Sequence, residues 1–451
     1  MLTFAPPSGA AGAVPTVRGP IEGGIWGHAL FDSPWDLREV GYVEAEYFVT
    51  GTARAHGAKT TAPYTTRIIV ARPKDAKRFN GTVLLDWTNV TAQFENAVDS
   101  LEAREVLLRV GFAWVHVSAQ SAGVCCSPLT PMVWDPVRYA DLNHPGDDYA
   151  YDIFTQIGRS IRKRKGPDPM GGLKVRTVLA AGQSQSASRL STYVREVAGI
   201  GDVVDGILIH GGGSKRFAKP PSVPVLHLLS DLEADPEKPN TSTNYRLWEV
   251  AGTAHSDFWI GYAQVFGQGP RTVLHADKRP YADARQLDLI AGNYGGELHP
   301  MQATCIVAGG QFPMRYAVGA GLLHLERWAR GGAAPRNGPR FTFDDSGMLA
   351  RDANRNALGG IRLPPIVHPV ATYESTACGL GGITRVFTPP ELGALYDSHA
   401  DYFAKMRAAT KRSVAEGYML PADATDMLQR ACSAKVPSPV LTSTRCTRKP
   451  S

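Results

Sequence analysis

The chain has 451 residues, 43% of them hydrophobic and 20% charged. That is the balance of a globular protein with room for a large core. The net charge of +6 is thin over this length and argues against a nucleic-acid partner. The one dense basic run, Arg159 to Lys165, reads as the exposed C-terminal end of a helix, where cations suit the dipole. Six scattered cysteines form no Cys-x-x-Cys pair, so no zinc site is expected. Met1–Val17 has neither a basic start nor a sustained apolar stretch, and no run approaches the roughly 18 apolar residues that span a bilayer. The reading is a soluble chain without signal peptide, anchor or integral membrane segment. It is cytoplasmic by default, with secretion left open.

In chain order, residues 1–40 read as an irregular, Pro/Gly-rich arm. Tyr42–Thr50 and Thr65–Ala71 alternate well enough for strands, and Thr82–Asp86 is a short apolar one. Phe94, Ala97, Val98, Leu101 and Leu108 trace a helix face before the apolar strand Phe112–Val117. Cys125-Cys126 follows it and reads as two small buried loop residues, with a vicinal disulfide or a redox role the less favoured reading. His144-Pro145-Gly146-Asp147-Asp148 reads as turn chemistry, with Asp147 or Asp148 capping the helix of Ile153, Ile157 and Ile161. Val175–Ala181 is the next strand, with helical spacing at Ala187, Leu190, Val194 and Val197 beyond it. Val203–Ile209, Val223–Leu229 and Tyr245–Val250 follow as strands. Strands first paired and then alternating with helices indicate a mostly parallel sheet covered on both faces. Met314–Arg330 reads as a helix, Phe341–Pro369 as loops or a small hairpin. Thr388-Pro389-Pro390-Glu391 opens a helix expected to run past Met406, and Pro421–Cys432 makes the last one. Cys378 and Cys446 could form a bridge in an oxidising compartment.

The chemistry concentrates at Gly182-Gln183-Ser184-Gln185-Ser186, on the turn from strand to helix. A serine hydroxyl is a poor nucleophile until geometry and a base activate it. This pentapeptide resembles the nucleophile elbow of α/β-hydrolases, normally Gly-x-Ser-x-Gly, with Ser186 in place of the last glycine. That fold orders its triad as serine, acid, histidine. Here Ser230-Asp231-Leu232-Glu233-Ala234-Asp235 leaves one later strand, and Gly252-Thr253-Ala254-His255 leaves the next. Ser184 is then the expected nucleophile and His255 the base. Counting from the strand end favours Glu233 as the acid, with Asp231 the runner-up and Asp235 third. The Gln185 N–H is one expected oxyanion donor, and the backbone of Asn89 or Val90, after the third strand, the other. Trp87, Phe258 and Trp259 are candidate pocket walls, with core packing an equal reading for each. His210-Gly211-Gly212-Gly213 imitates an oxyanion motif but follows the elbow instead of preceding it, so it reads as a turn.

The wider pattern Asp86-Trp87-Thr88-Asn89-Val90, Val117-Ser118-Ala119-Gln120, His144-Pro145-Gly146-Asp147-Asp148-Tyr149, the elbow, Trp248–His255 and Gly359–Pro364 resembles a bacterial family usually called "alpha/beta hydrolase domain-containing" proteins. The likeness covers most of residues 40–430, with Cys125-Cys126 and Asp86 departing from it. It implies the α/β-hydrolase fold and a serine carboxylesterase-like activity. On this reading residues 41–451 form a single catalytic domain, with core strands and triad in 41–262. The C-terminal helical and loop segment, 263–451, walls the pocket. The expected function is ester hydrolysis through an acyl-enzyme. The partner is a small-molecule ester, with no cofactor, no metal, no nucleic acid and an open oligomeric state. An acyltransferase or lactonase with the same triad is the alternative, and a non-catalytic binding protein on this fold comes third.

Overall fold

The computed structural model describes residues 14–33, 35–239, 242–262, 305, 309–434 and 436. The chain falls into two compact units, one built from residues up to 100 together with 107–207, the other from 101–106 and most of the chain beyond 207.

The first unit opens with β1 (Thr16–Arg18), antiparallel to β2 (Tyr42–Arg54), within the stretch expected to be irregular. β2 pairs along its whole length with β3 (Thr61–Pro73), from Tyr42 opposite Pro73 to Arg54 opposite Thr61. Both run several residues past the expected limits, because the hairpin continues pairing beyond the apolar stretch. β4 (Thr82–Trp87), β5 (Ala113–Val117) and β6 (Thr177–Gln183) complete the order β1-β2-β3-β5-β4-β6. β4 lies parallel to both β5 and β6. Every residue of these three strands is buried, which explains their largely apolar runs: both faces are covered.

The helix expected from Phe94 to Leu108 is two short ones, α1 (Val98–Glu102) and α2 (Arg104–Val110), the break falling at Ala103. After β5 come α3 (Ser121–Val124) and α4 (Pro131–Trp134). α5 (Ala150–Arg162) ends inside the basic run, as expected, and buries Ile153, Ile157 and Ile161. α6 (Gln185–Glu196) buries Ala187, Leu190 and Tyr193. Tyr193 takes an interior place that periodicity gave to Val194 and Val197, which are half-buried.

The chain passes into the second unit along β7 (Gly206–His210). There β8 (Val225–Leu229) and β9 (Tyr245–Glu249) run parallel, Leu229 opposite Glu249. α7 (Phe258–Tyr262) follows, then α8 (Met314–Ala329), which packs on β8. The region 341–369 carries isolated bridges at Phe341–Gly359, Phe343–Leu349 and Arg351–Ala357, and ends in α9 (Pro364–Val367). β10 (Ala371–Glu374) and β11 (Ile383–Val386) form a small hairpin. The Thr388–Glu391 capping box opens α10 (Pro389–Leu395) as expected. That helix stops at Leu395, and Ser398, whose hydroxyl accepts from Asp401 N–H, starts a new one, α11 (His399–Glu416). A second cap so close to the first ends the single long helix that periodicity suggested. α12 (Pro421–Ser433) follows.

Two disulfides differ from the sequence reading. Cys125 and Cys126 are joined to each other rather than packed as free thiols, and Cys378 pairs with Cys305 rather than Cys446. The first was unexpected because adjacent cysteines seldom meet bridge geometry. The second was hidden because spacing does not encode connectivity. Cys446 lies outside the described residues.

Candidate active site

Ser184 stands at the last position before α6 with φ 61° and ψ −114°. This is a region that L-residues rarely enter, and it is held against its steric cost by the strand before and the helix after. Gly182, two residues earlier, is absent from the residues with positive φ, and its need is space. A Cβ there would lie 3.0 Å from Ser186 Cβ and 3.1 Å from Leu190 Cδ1. Ser186 is fully buried in that contact, so a serine fits where the motif usually has glycine.

Gln185 is the first residue of α6, where backbone N–H groups have no intrahelical acceptor. Its side chain donates to Gln120 Oε1 at 2.9 Å, and Trp87 Nε1 donates to the same oxygen at 3.1 Å. Gln120 Nε2 donates in turn to Asp147 Oδ2 at 2.8 Å. Asp147 Oδ1 accepts from Ser121 N–H and Ser121 Oγ, and Arg189 pairs with Oδ2 at 3.0 Å. Burial alone would raise the Asp147 carboxyl. The bonds from Gln120 and Ser121 and the Arg189 charge outweigh that and hold it below its usual range. Asp147 therefore caps α3 and not α5, as the sequence reading had it; the cap of α5 carries no side-chain bond.

The loop after β4 is fixed from two sides. Asn89 N–H donates to Asn96 O at 2.8 Å, and Asn89 Nδ2 donates to Gln183 O at 3.0 Å. The first bond occupies the Asn89 N–H.

In the second unit, Glu233 and His255 meet. His255 Nδ1 lies 2.5 Å from Glu233 Oε1. The register of β8 and β9 explains it: both residues leave the C-terminal ends of neighbouring parallel strands. Glu233 Oε2 accepts from Ser230 N–H at 2.8 Å and Ser230 Oγ at 2.7 Å, closing a capping box over the turn Asp231–Glu233. Burial pushes the Glu233 carboxyl up, but the bonds and charge of His255 and the two Ser230 bonds bring it below its usual range. The turn before His255 needs Gly252: its φ is 84°, and a Cβ would sit 2.4 Å from Ile366.

The other two carboxylates are employed elsewhere. Asp231 Oδ1 accepts Gly252 N–H at 2.9 Å and Oδ2 accepts Ser375 Oγ at 2.6 Å. Burial raises its carboxyl to about 6 against those bonds. Asp235 pairs with Lys215 at 3.0 Å, itself half-exposed. The segment after Ser375 also secures the histidine loop. Ser256 N–H donates to Leu380 O, and Gly310, whose carbonyl accepts Phe258 N–H, donates to Gly381 O. Sequence reasoning missed Ser375 and the 380–382 strap, since nothing local marks a contact more than a hundred residues away.

Trp87, Phe258 and Trp259 are all buried, at 1%, 1% and 8% exposure. Trp87 stacks on Phe154 at 4.5 Å; Trp259 donates to Leu101 O and carries Arg315 over its ring at 4.9 Å. These contacts pack Trp87 and Trp259 into the interior. The glycines 211–213 form a turn with positive φ throughout, and His227 holds Gly212 O at 2.6 Å, as a turn reading requires. Among the described residues no group of three or more metal-ligating side chains comes together, and no helix is long and apolar enough to cross a membrane.

Comparison with curated protein sequences finds no match. Among solved structures, a glucuronoyl esterase from Teredinibacter turnerae is 10% identical, with a TM-score of 0.26, covering 50% of this chain and 63% of its own. The esterase Est22 is 11% identical, with a TM-score of 0.29, over 44% of this chain and 67% of its own. An alpha-beta serine hydrolase homologue from Coxiella burnetii is 9% identical, with a TM-score of 0.26, over 50% and 95%. This chain thus spans less than two thirds of the glucuronoyl esterase. A family model described as "Alpha/beta hydrolase domain" matches residues 17–429, a span that takes in the elbow, the Glu233–His255 pair and most of the helical C-terminal region. With a mostly parallel sheet flanked by helices and a strained serine between strand and helix, the chain belongs to the alpha/beta hydrolase domain family.

Proposed function

We propose that the protein is a serine esterase in which Ser184, His255 and Glu233 act as one triad. The observation that carries this reading is the 2.5 Å contact between His255 Nδ1 and Glu233 Oε1. A carboxylate on Nδ1 fixes the tautomer and leaves Nε2 as the nitrogen that takes a proton. In the proposed reaction His255 Nε2 removes the Ser184 hydroxyl proton as Oγ attacks an ester carbonyl. The negative charge on the former carbonyl oxygen is held by the N–H groups of Gln185 and Val90. His255 returns the proton to the departing alcohol, and water, activated the same way, releases the acid from the acyl-enzyme. Glu233 stays ionised throughout and stabilises the imidazolium.

A fluorophosphonate probe tests the nucleophile, and a short-chain aryl ester tests turnover. The expected results are covalent labelling of Ser184 and loss of both labelling and turnover in Ser184→Ala, with the melting transition kept. Turnover at the original rate in that folded variant overturns the assignment.

A further inference from the structure

One side chain ties together both segments to which the oxyanion donors are assigned. Gln120 lies just after β5, is 2% exposed, and uses a single carbonyl oxygen to accept from Trp87 and from Gln185. Trp87 ends β4, immediately before the loop of Val90; Gln185 begins α6. The amide's other end donates to Asp147, which is anchored by Ser121 and Arg189. An amide is suited to this place. It offers an acceptor to two N–H donors at one end and a donor to a carboxylate at the other, and no other uncharged side chain of this length does both.

We propose that Gln120 is a positioning residue for the oxyanion hole, holding the Gln185 and Val90 segments in register. This rests on the triad reading above. It touches neither the reacting atoms nor the triad side chains, so its effect belongs in kcat: the charge to be stabilised exists only in the transition state.

Gln120→Glu gives a signature that packing alone does not. Protonated, the new carboxyl still accepts from Trp87 and Gln185 and donates to Asp147. Ionised, it faces the Asp147 carboxylate at hydrogen-bond distance. The charged and titratable groups around it are Asp147 and Arg189 of this network, His144, whose Nε2 lies 3.0 Å from Ala119 O, and Glu95, which is paired with Arg67. Arg189 is already committed to Asp147 and leaves the repulsion in place.

The experiment measures kcat and KM for the aryl ester in the wild type and in Gln120→Glu across the pH range where both stay folded, and takes their ratio. The ratio of kcat values is expected near one at the acidic end and to fall tenfold or more as pH rises, with KM unchanged. Adding Asp147→Asn to Gln120→Glu removes the facing charge and should flatten the fall. Gln120→Asn, which keeps the amide but loses its reach, is the second variant and should lose about tenfold in kcat at every pH. A ratio independent of pH, or a change carried by KM, overturns the proposal. Ser184→Ala is run alongside. If it retains turnover, the triad reading falls and this one with it. If it is inactive while the Gln120→Glu ratio stays flat, only the role of Gln120 falls.

Discussion

At the scale of single residues, the site separates three carboxylates that the sequence places on one loop. Glu233 bonds His255, Asp231 bonds Gly252 and Ser375, and Asp235 bonds Lys215. Glu233→Gln is therefore expected to cut kcat by about 10³–10⁴-fold, in line with loss of the orienting carboxylate elsewhere. Asp231→Asn should leave kcat within a few-fold. Its effect belongs to stability. The folded Asp231 carboxyl titrates near 6, above its unfolded value, so its contribution is full at low pH and is lost as pH rises through about 6. Removing the charge should flatten the melting temperature between about pH 4 and 6, a difference of about 3 kcal/mol at the most. Melting curves across that interval check it. Ser184 offers a second contrast. Glycine adopts φ 61°, ψ −114° without Cβ strain, whereas alanine does not. Ser184→Gly should therefore melt higher than Ser184→Ala, by about 1–3 kcal/mol, with both inactive.

At the scale of elements, a buried ionic network holds the first unit around the loop after β4. Arg67 on β3 donates to Glu46 on β2 at 2.9 Å and to Glu95 at 2.6 Å, and Arg138 joins Glu46 at 2.7 Å. Glu95 also accepts from Thr88 Oγ1, next to Asn89. Such a network stabilises little compared with apolar packing, but it fails badly when one partner is removed. Glu95→Ala should destabilise by about 3–5 kcal/mol, because the Arg67 guanidinium stays buried without its second carboxylate. A denaturant titration reads this directly. The network was invisible in the sequence: Glu46, Arg67, Glu95 and Arg138 carry no mutual spacing; pairing of β2 with β3 brings Glu46 near Arg67, and Glu95 and Arg138 reach them from loops further along the chain.

At the scale of the whole molecule, the covalent cross-links bear on both stability and the histidine loop. The Cys305–Cys378 bridge closes 73 residues of chain and lies at the edge of the 380–382 strap that holds Ser256 and Gly310. Cys378→Ser should cost about 2–4 kcal/mol, measured as a shift in the unfolding midpoint that reductant reproduces in the wild type. What the sequence made legible follows a physical line. The elbow, the order of strands along the chain and the closeness of Glu233 to His255 rest on local patterns: buried apolar runs, caps and a count from a strand end. What stayed hidden depends on partners far along the chain. The Asp147 bond to Ser121, the use of the Asn89 N–H by Asn96, the Asp231–Ser375 contact and the bridge to Cys305 all require the folded topology. The interruption between α10 and α11 is a milder case. Its cap, Ser398, is present in the sequence, but amphipathic spacing continues across it.

The capping box on Glu233 has a corollary for side-chain length. One oxygen of this side chain fastens a turn while the other serves the imidazole, and the span between those duties matches a glutamate. An aspartate, one methylene shorter, has to abandon one of the two posts. Exchanging the serine at 230 takes away only one of the two bonds on that oxygen, because the backbone N–H still grips it, so the longer acid stays moored at both ends.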